Sequence, residues 1–302
     1  MANRLRLLKG AIAGFTLAMA ACSVTAQDTP SRGANTIQPD SDQERRQDEV
    51  ARLSLAKARR LELTSGKQDT ALAELHKEAI LRWSNPTIGS IYGEVYVWTV
   101  RGRPVALGSI YRWYHPHRTA TVELVSVSEG AVGAKEGDVV RWDCESSGVS
   151  FDSVPGAPPP AETREGRLVQ MRSLAREFSA RLEDVRDGEK VTRDLRLLGQ
   201  PVYRYEPLGE TLRDGAIFAF VEGTDPEAWL LLEADVPKDA ATPIWRFALA
   251  RMNIDELEFN HGSEFVQRCA NVRDSWMNPR ANYTLFNFDP SLLDAEERPP
   301  AP

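Results

Sequence analysis

Apolar residues along this chain follow two rhythms, and the places where the rhythm changes mark its elements. Between Gln43 and Leu63 the chain is densely charged, with apolar residues at Val50, Leu53, Ala56 and Leu61. That spacing predicts a charged surface helix within 43–68. From Asp69, a residue suited to an N-cap, Leu72, Leu75, Ala79 and Ile80 recur at helical spacing and predict a second helix ending near Ile80. The period then shortens to two. Ile91–Val100 and Val105–Tyr114, rich in Val, Ile, Tyr and Trp, read as strands joined by a turn at Arg101-Gly102-Arg103-Pro104; Thr119–Ser128 and Asp138–Cys144 read as two more. Three consecutive prolines, Pro158 to Pro160, close this half, since they cannot lie inside a sheet or helix. Leu168, Met171, Ala175, Phe178 and Leu182 then mark one face of an amphipathic helix. After Asp187-Gly188 the strand rhythm returns at Val191–Leu198, Val202–Tyr205, Ala216–Val221, Trp229–Asp235, Trp245–Met252 and Glu264–Cys269.

The two halves carry nearly the same stretch. Laying Arg82 on Arg204 sets Trp83 on Tyr205, Gly93 on Gly215, and Pro104 on Pro226, all at one spacing. Val95, Tyr96 and Trp98 then meet Ile217, Phe218 and Phe220, and Cys144 meets Cys269 at a slightly longer spacing. Each copy reads helix, short extended segment, hairpin, then two more strands. This is a twofold duplication rather than a solenoid, which needs three or more copies. Units of this kind bury their apolar faces against each other. The expected fold class is α+β, with antiparallel sheets from two duplicated helix-plus-β-hairpin units and packing helices. The expected organisation is a signal peptide at 1–26, a disordered linker at 27–42, the charged helix at 43–68, a first α+β unit at 69–160, a second at 161–289, and a disordered tail at 290–302.

Arg4, Arg6 and Lys9 precede an apolar run, Gly10–Ala21, that is too short to span a bilayer. This is the order of an export signal. Two processing readings stay open. Val24-Thr25-Ala26 offers cleavage before Gln27; Met19-Ala20-Ala21-Cys22 resembles a lipobox, with lipid added to Cys22. The expected location is periplasmic or extracellular, with membrane contact only through such an anchor. The net charge is −7, and it becomes more negative once the basic signal leaves. An acidic chain without a basic aromatic stripe is a poor nucleic-acid binder, and no other partner is indicated. Cys144 and Cys269 form an even pair in an exported chain, which points to a disulfide; two separate thiols are the alternative.

Candidate chemistry is sparse. There is no G-x-S-x-G, H-E-x-x-H, P-loop or C-x-x-C motif, and the chain has 4 histidines. His115 and His117 stand two apart, so on an extended segment their rings point the same way. With a carboxylate they could share a divalent metal, the only cofactor suggested; plain surface is the alternative. A hairpin turning at Gly102-Arg103 would set Trp98 opposite Leu107, Glu94 opposite Tyr111 and Tyr92 opposite Trp113. Glu94 would then share a face with Tyr111, Trp113, His115 and His117. In the second copy the same register sets Phe220 opposite Trp229 and Glu233 on the matching face. A carboxylate on an aromatic face must be paired, shifted in pKa or at the rim. Tyr96, Trp98, Tyr111, Trp113, Glu94 and Glu233 therefore make the candidate ligand-binding set, with ordinary aromatic core as the alternative.

The stretches RWSNP, GEVYVWTVRGRP, LVQMRSLAREFSARL, LLGQPVYRYEP and DGAIFAFVEGTDPEAWLLLEA resemble an uncharacterised family of exported bacterial proteins, from about Leu81 to Val266. The family has no assigned activity, so the resemblance implies export and supplies no catalytic residues. Cys144 and Cys269 are not part of its pattern. The expected function is that of an exported, non-enzymatic binding or structural protein of the envelope or the extracellular space. Two alternatives stand beside it. One is a hydrolase, metal-assisted through His115 and His117 with Glu94 or Glu233; the other is a carrier of an apolar ligand on the aromatic face.

Overall fold

The computed structural model of the chain describes residues 39–67, 70–186, 189–207, 211–236 and 242–291. The signal peptide with Cys22, the linker up to residue 38, Asp69, Asp187-Gly188 and the tail from residue 292 lie outside the described residues.

The first half runs α1 (Pro39–Arg60), β1 (Glu62–Ser65), β2 (Ala71–Leu72), β3 (Glu74–Leu75), β4 (Leu81–Ser84), β5 (Ser90–Val100), β6 (Arg103–His115), β7 (Ala120–Ser126), β8 (Val132–Glu136), β9 (Val139–Cys144) and β10 (Asp152–Ser153). The second runs α2 (Arg164–Ala175), β11 (Phe178–Arg186), β12 (Glu189–Asp194), β13 (Arg196–Leu197), β14 (Tyr203–Tyr205), β15 (Asp214–Glu222), β16 (Asp225–Asp235), β17 (Ile244–Arg251), β18 (Glu256–His261), β19 (Glu264–Cys269) and β20 (Tyr283–Phe288). These strands form four antiparallel sheets, so the described chain is mostly β. The expectation of an α+β fold of helix-plus-hairpin units is overturned.

The strand orders of the two halves correspond element by element. One small sheet is β2-β1-β8-β9 and the other β12-β11-β18-β19. One large sheet is β20-β7-β6-β5-β3 with β4 on β5; the other is β10-β17-β16-β15-β13 with β14 on β15. The edge strands are exchanged. β10 follows the first half but joins the second half's sheet, and β20 follows the second half but joins the first's.

Burial explains the layering. Val95, Val97 and Leu107 from one large sheet meet Ile217, Trp229 and Leu231 from the other, so the two large sheets face each other across a central core. On its outer face the first sheet presents Tyr96, Trp98, Ile110 and Val122 to Ala58 of α1 and to Leu63 and Trp142 of its small sheet. The second sheet presents Phe218, Phe220 and Leu230 to Met171 and Leu174 of α2 and to Phe259 of its own small sheet. A strand buried on both faces needs apolar residues at successive positions. That is why β5, β6, β15 and β16 bury successive residues and not only alternate ones as a period of two implies.

Two further expectations fail for identifiable reasons, and the charged helix is present with shifted bounds. Residues 70–80 are not helical. Their backbone donors go to neighbouring strands: Ala73 N to Leu63 O at 2.9 Å, His76 N to Val97 O at 2.9 Å and Ile80 N to Val95 O at 2.8 Å. The helix through Leu182 ends at Ala175, because Phe178, Ala180 and Leu182 alternate inward along β11, which pairs with β18. The charged helix begins at Pro39, and β1 occupies residues given to it; proline is suited to a first helical turn.

The register of the hairpin also differs by one residue. The turn is Arg101-Gly102, both with positive φ (51° and 81°), as a two-residue type I′ turn requires. A bulge between Trp98 and Thr99 then shifts the pairing, so that Trp98 faces Ala106, Glu94 faces Ile110 and Tyr92 faces Arg112. The second hairpin carries its bulge at the corresponding place, between Phe220 and Val221, and Phe220 faces Ala228 rather than Trp229. A slip of one residue exchanges the faces of a strand. Glu94 therefore lies on the face opposite Tyr111 and Trp113.

Candidate functional site

Each large sheet holds one aromatic ring over a glycine in its long strand. Trp83 pairs with Gly93, and a Cβ on Gly93 would stand 2.4 Å from the indole; Tyr205 pairs with Gly215, where a Cβ would stand 2.3 Å from the phenol. Only glycine admits a ring lying this close to the strand. Beside each ring sits the hairpin tip of the other half. Thr224 accepts from Ser84 N at 2.9 Å and donates to Ser84 O at 2.8 Å, and Gly102 approaches Glu206 and Pro207. Two corresponding clefts result, and they differ.

The cleft over Tyr205 is filled by the chain itself. Arg103 donates to Glu233 at 2.9 Å, and the Tyr205 hydroxyl donates to the same carboxylate at 2.9 Å. The guanidiniums of Arg103 and Arg246 lie 5.4 and 5.1 Å from the Phe151 ring. Burial raises Glu233 to about 7, with Arg103 and the Tyr205 hydroxyl pulling the other way.

The cleft over Trp83 opens into a cavity of about 560 Å³. Trp83, Tyr111, Trp113, Trp276 and Tyr283 supply aromatic wall; Glu123, Asp225 and Glu227 bring carboxylates into it. Trp83 is fixed by its indole N–H, which donates to Ser109 at 3.0 Å, and its ring lies 5.5 Å from that of Tyr111. Glu227 is the extra residue of the β16 bulge, placed between Pro226 and Ala228, which pair with Val221 and Phe220. Bulges re-aim side chains in this way. Glu123 stands in the middle of β7 opposite Leu285 of the exchanged strand β20, and accepts from the Tyr283 hydroxyl.

Burial is the main electrostatic fact here. It pushes the Glu123 carboxyl up to about 8, against the Tyr283 hydrogen bond and the charge of Arg251. It pushes Glu227 to about 8, against the amide of Asn253 and with Glu123 and Glu222 adding repulsion. Asp225 is raised well above the carboxylate range by burial and by Glu227, with the Asn85 amide opposing. Arg193 and Arg273 also line the cavity, paired with its other carboxylates, and among the described residues Arg193 Nε and Nη1 have no hydrogen-bond partner. Arg193 contacts Asp184 at 2.9 Å and Glu222 at 3.2 Å, and Arg273 grips Asp255 with bonds of 2.5 and 2.7 Å. Arg251 donates to the carbonyls of Asn253, Ala270 and Asp255. Asn85, a cavity-lining residue that is 1% exposed, donates to Asp225 at 3.2 Å, while its Oδ1 is buried without a donor.

The residues singled out from sequence are dispersed. Tyr111 and Trp113 line the cavity, and His117 sits at its edge with its ring 5.1 Å from Trp113. Tyr96, Trp98 and Glu94 belong to the opposite face of β5. There the Tyr96 hydroxyl donates to Glu94 at 2.5 Å, and Arg82 pairs with Glu94 at 2.8 Å. Glu233 is in the filled cleft. His115 ends β6 and is exposed, as is His117. The structure does not bring the two histidines together with Glu94 or Glu233, and among the described residues no three His, Cys, Asp or Glu side chains are placed to hold a metal ion. Cys144 and Cys269 are free thiols in different small sheets; position in a repeat does not create proximity.

Sequence reasoning missed Asn85, Glu123, Asp225, Glu227 and Tyr283. A usable signal was present: read copy against copy, Asp225 stands where the first half has Arg103. Glu123 was also visible as a carboxylate within an otherwise apolar strand, ATVELVS.

Fold and site together define a class: a mostly β protein of two fused, corresponding halves, with an aromatic, carboxylate-lined cavity at their junction. Comparison with protein-family models, curated proteins and solved structures returned no match. No helix among the described residues is long and apolar enough to cross a membrane.

Proposed function

We propose that this is an exported binding protein that holds a small organic molecule in the cavity between its halves. The cavity itself carries the reading. Its volume, about 560 Å³, is within the range of small-molecule sites, and its mixture of aromatic wall and a few convergent polar groups is what such sites use. The filled cleft supports it by contrast, since the same framework can be closed with its own side chains. Export rests on the basic and apolar order of the first residues and on the resemblance to exported proteins. The test is a ligand screen by thermal shift, followed by calorimetry on wild type and on Trp83→Ala. Binding that is saturable and lost in the variant is the expected result; a cavity that takes no small molecule rejects the reading.

A hydrolytic reading has one observation in its favour: half-buried Asp225 and buried Glu227 are neighbouring carboxyls with raised proton affinity, as a general acid needs. It requires turnover of ester or glycoside substrates that Glu227→Gln abolishes. Absence of turnover across such a panel removes it.

A further inference from the structure

The two clefts are corresponding positions of one duplicated framework, so each shows what the other lacks. From the strand registers, Arg103 of the filled cleft corresponds to Asp225 of the open one, and the bulge residue Val105 corresponds to Glu227. Ser109 faces Glu123, and its counterpart Leu231 faces Ala248, so Ala248 corresponds to Glu123. The ring over glycine is kept, as Tyr205 and Trp83. At these register positions the filled side has a guanidinium, an alanine and a valine, the valine being packed in the outer core of the first half. The other has three carboxylates at the same places.

We propose that the cavity binds an organic cation, a guanidinium or ammonium group carried on an apolar or aromatic body, with Asp225, Glu227 and Glu123 as its counter-charges; this rests on the binding reading above. The Arg103 guanidinium shows the mode, lying by an aromatic ring and held by a buried carboxylate and a tyrosine. In the open cleft aromatic rings and carboxylates are again present, and the cations of its wall, Arg193 and Arg273, are paired with Asp184, Glu222 and Asp255. Among the described residues no Lys or Arg is in ion-pair contact with Asp225, Glu227 or Glu123: Arg193 pairs with Asp184 and Glu222 and leaves Nε and Nη1 without a hydrogen-bond partner, Arg273 pairs with Asp255, and Arg251 donates to backbone carbonyls. Asn85 supplies the independent sign. It is buried at the cavity wall, and its amide oxygen has no donor. Such an acceptor is costly to bury alone and is satisfied by an N–H donor. Cations are also drawn to the faces of Trp and Tyr, which form the wall. Two buried carboxyls, Glu123 and Glu227, and a half-buried third, Asp225, crowded together are a stability burden, and keeping them is the usual trade of a binding site against stability.

Calorimetry with four matched probes tests this: phenethylguanidinium, phenethylammonium, phenethyl alcohol and hydrocinnamate. Both cations are expected to bind at least about tenfold more tightly than the alcohol, the worth of one charged hydrogen bond, with hydrocinnamate weakest. The double variant Asp225→Asn with Glu227→Gln should lose about tenfold to a hundredfold on the cations and nothing on the alcohol. Exposed Glu264→Gln, one charge change far from the cavity, should leave all four unchanged. Thermal unfolding of the ligand-free double variant checks its fold, and its Tm is expected to rise. An alcohol bound as tightly as the cations, or a double variant that keeps cation affinity, overturns the cation inference and leaves the binding reading standing. Failure of all four probes to bind, with no hit in the thermal-shift screen, overturns both.

Discussion

Trp98 and Phe220 occupy corresponding places beside the two bulges, and both are fully buried, at 1% and 0% exposure. Each fills the outer core of its own half. Replacing either with Ala should cost about 3–5 kcal/mol, measured by urea unfolding, and the two losses should be similar. Gly93 and Gly215 predict the opposite kind of damage. Alanine at Gly93 drives a methyl into the Trp83 indole, so Gly93→Ala should cost about 1–3 kcal/mol as overpacking and weaken ligand binding together with it. Gly215→Ala should cost a similar amount with binding untouched, because Tyr205 belongs to the filled cleft. Titration of the bound probe against each variant separates the two.

At the level of elements, α1 is fastened by a buried ion pair rather than by apolar contact alone. Lys57 donates to Glu136 of β8 at 2.5 Å, Glu136 also contacts Arg141 at 2.8 Å, and the Lys57 ammonium lies 4.7 Å from the Phe288 ring of β20. Burial lowers the Lys57 pKa, and Glu136 offsets that. A helix of the first half is thus pinned to a strand that arrives from after the second. Glu136→Ala should cost about 3–5 kcal/mol, because it leaves a buried ammonium unpaired. The double change Lys57→Met with Glu136→Leu should cost far less, since well-packed apolar groups replace such a pair with little loss. Equal losses in a chemical denaturation series would count against this account. The exchanged strand has a second role: β20 brings Tyr283 and Leu285 to the cavity wall. The site therefore depends on both halves being joined.

For the whole molecule, the cavity carboxyls set a pH dependence. Glu123 and Glu227 titrate near 8 when folded and near the ordinary 4.5 when unfolded. Between those values the folded state binds more protons, so stability falls as pH rises from about 4.5 to about 8 and levels off above it. The groups facing them are Asp225, Tyr111 and Tyr283, with Arg251, the Asp184–Arg193–Glu222 and Asp255–Arg273 ion pairs, and His117 at the edge. Burial raises both tyrosines well above 10, outside this window. Tm should therefore be higher at pH 5.5 than at pH 8.5. The triple variant Glu123→Gln, Asp225→Asn, Glu227→Gln should flatten that difference; a slope unchanged in the variant would show that other groups produce it.

The sequence by itself determined the long strands, their aromatic content, the correspondence of Arg82–Pro104 with Arg204–Pro226, and the inward face of α1 from Val50 onward. These are local or periodic features, and chain spacing encodes them directly. Tertiary structure decided the rest. Residues 71–75 are strands because neighbouring strands take their backbone donors, not because of their own spacing. A single bulge, invisible to a period-two count, put Glu94 on one side of the sheet and Tyr111 on the other. The cavity gathers Asn85, Glu123, Asp225 and Tyr283 from distant parts of the chain, and only the facing of two sheets and the exchange of two edge strands bring them together. No local pattern encodes that meeting, because each residue reaches it through a different strand's register.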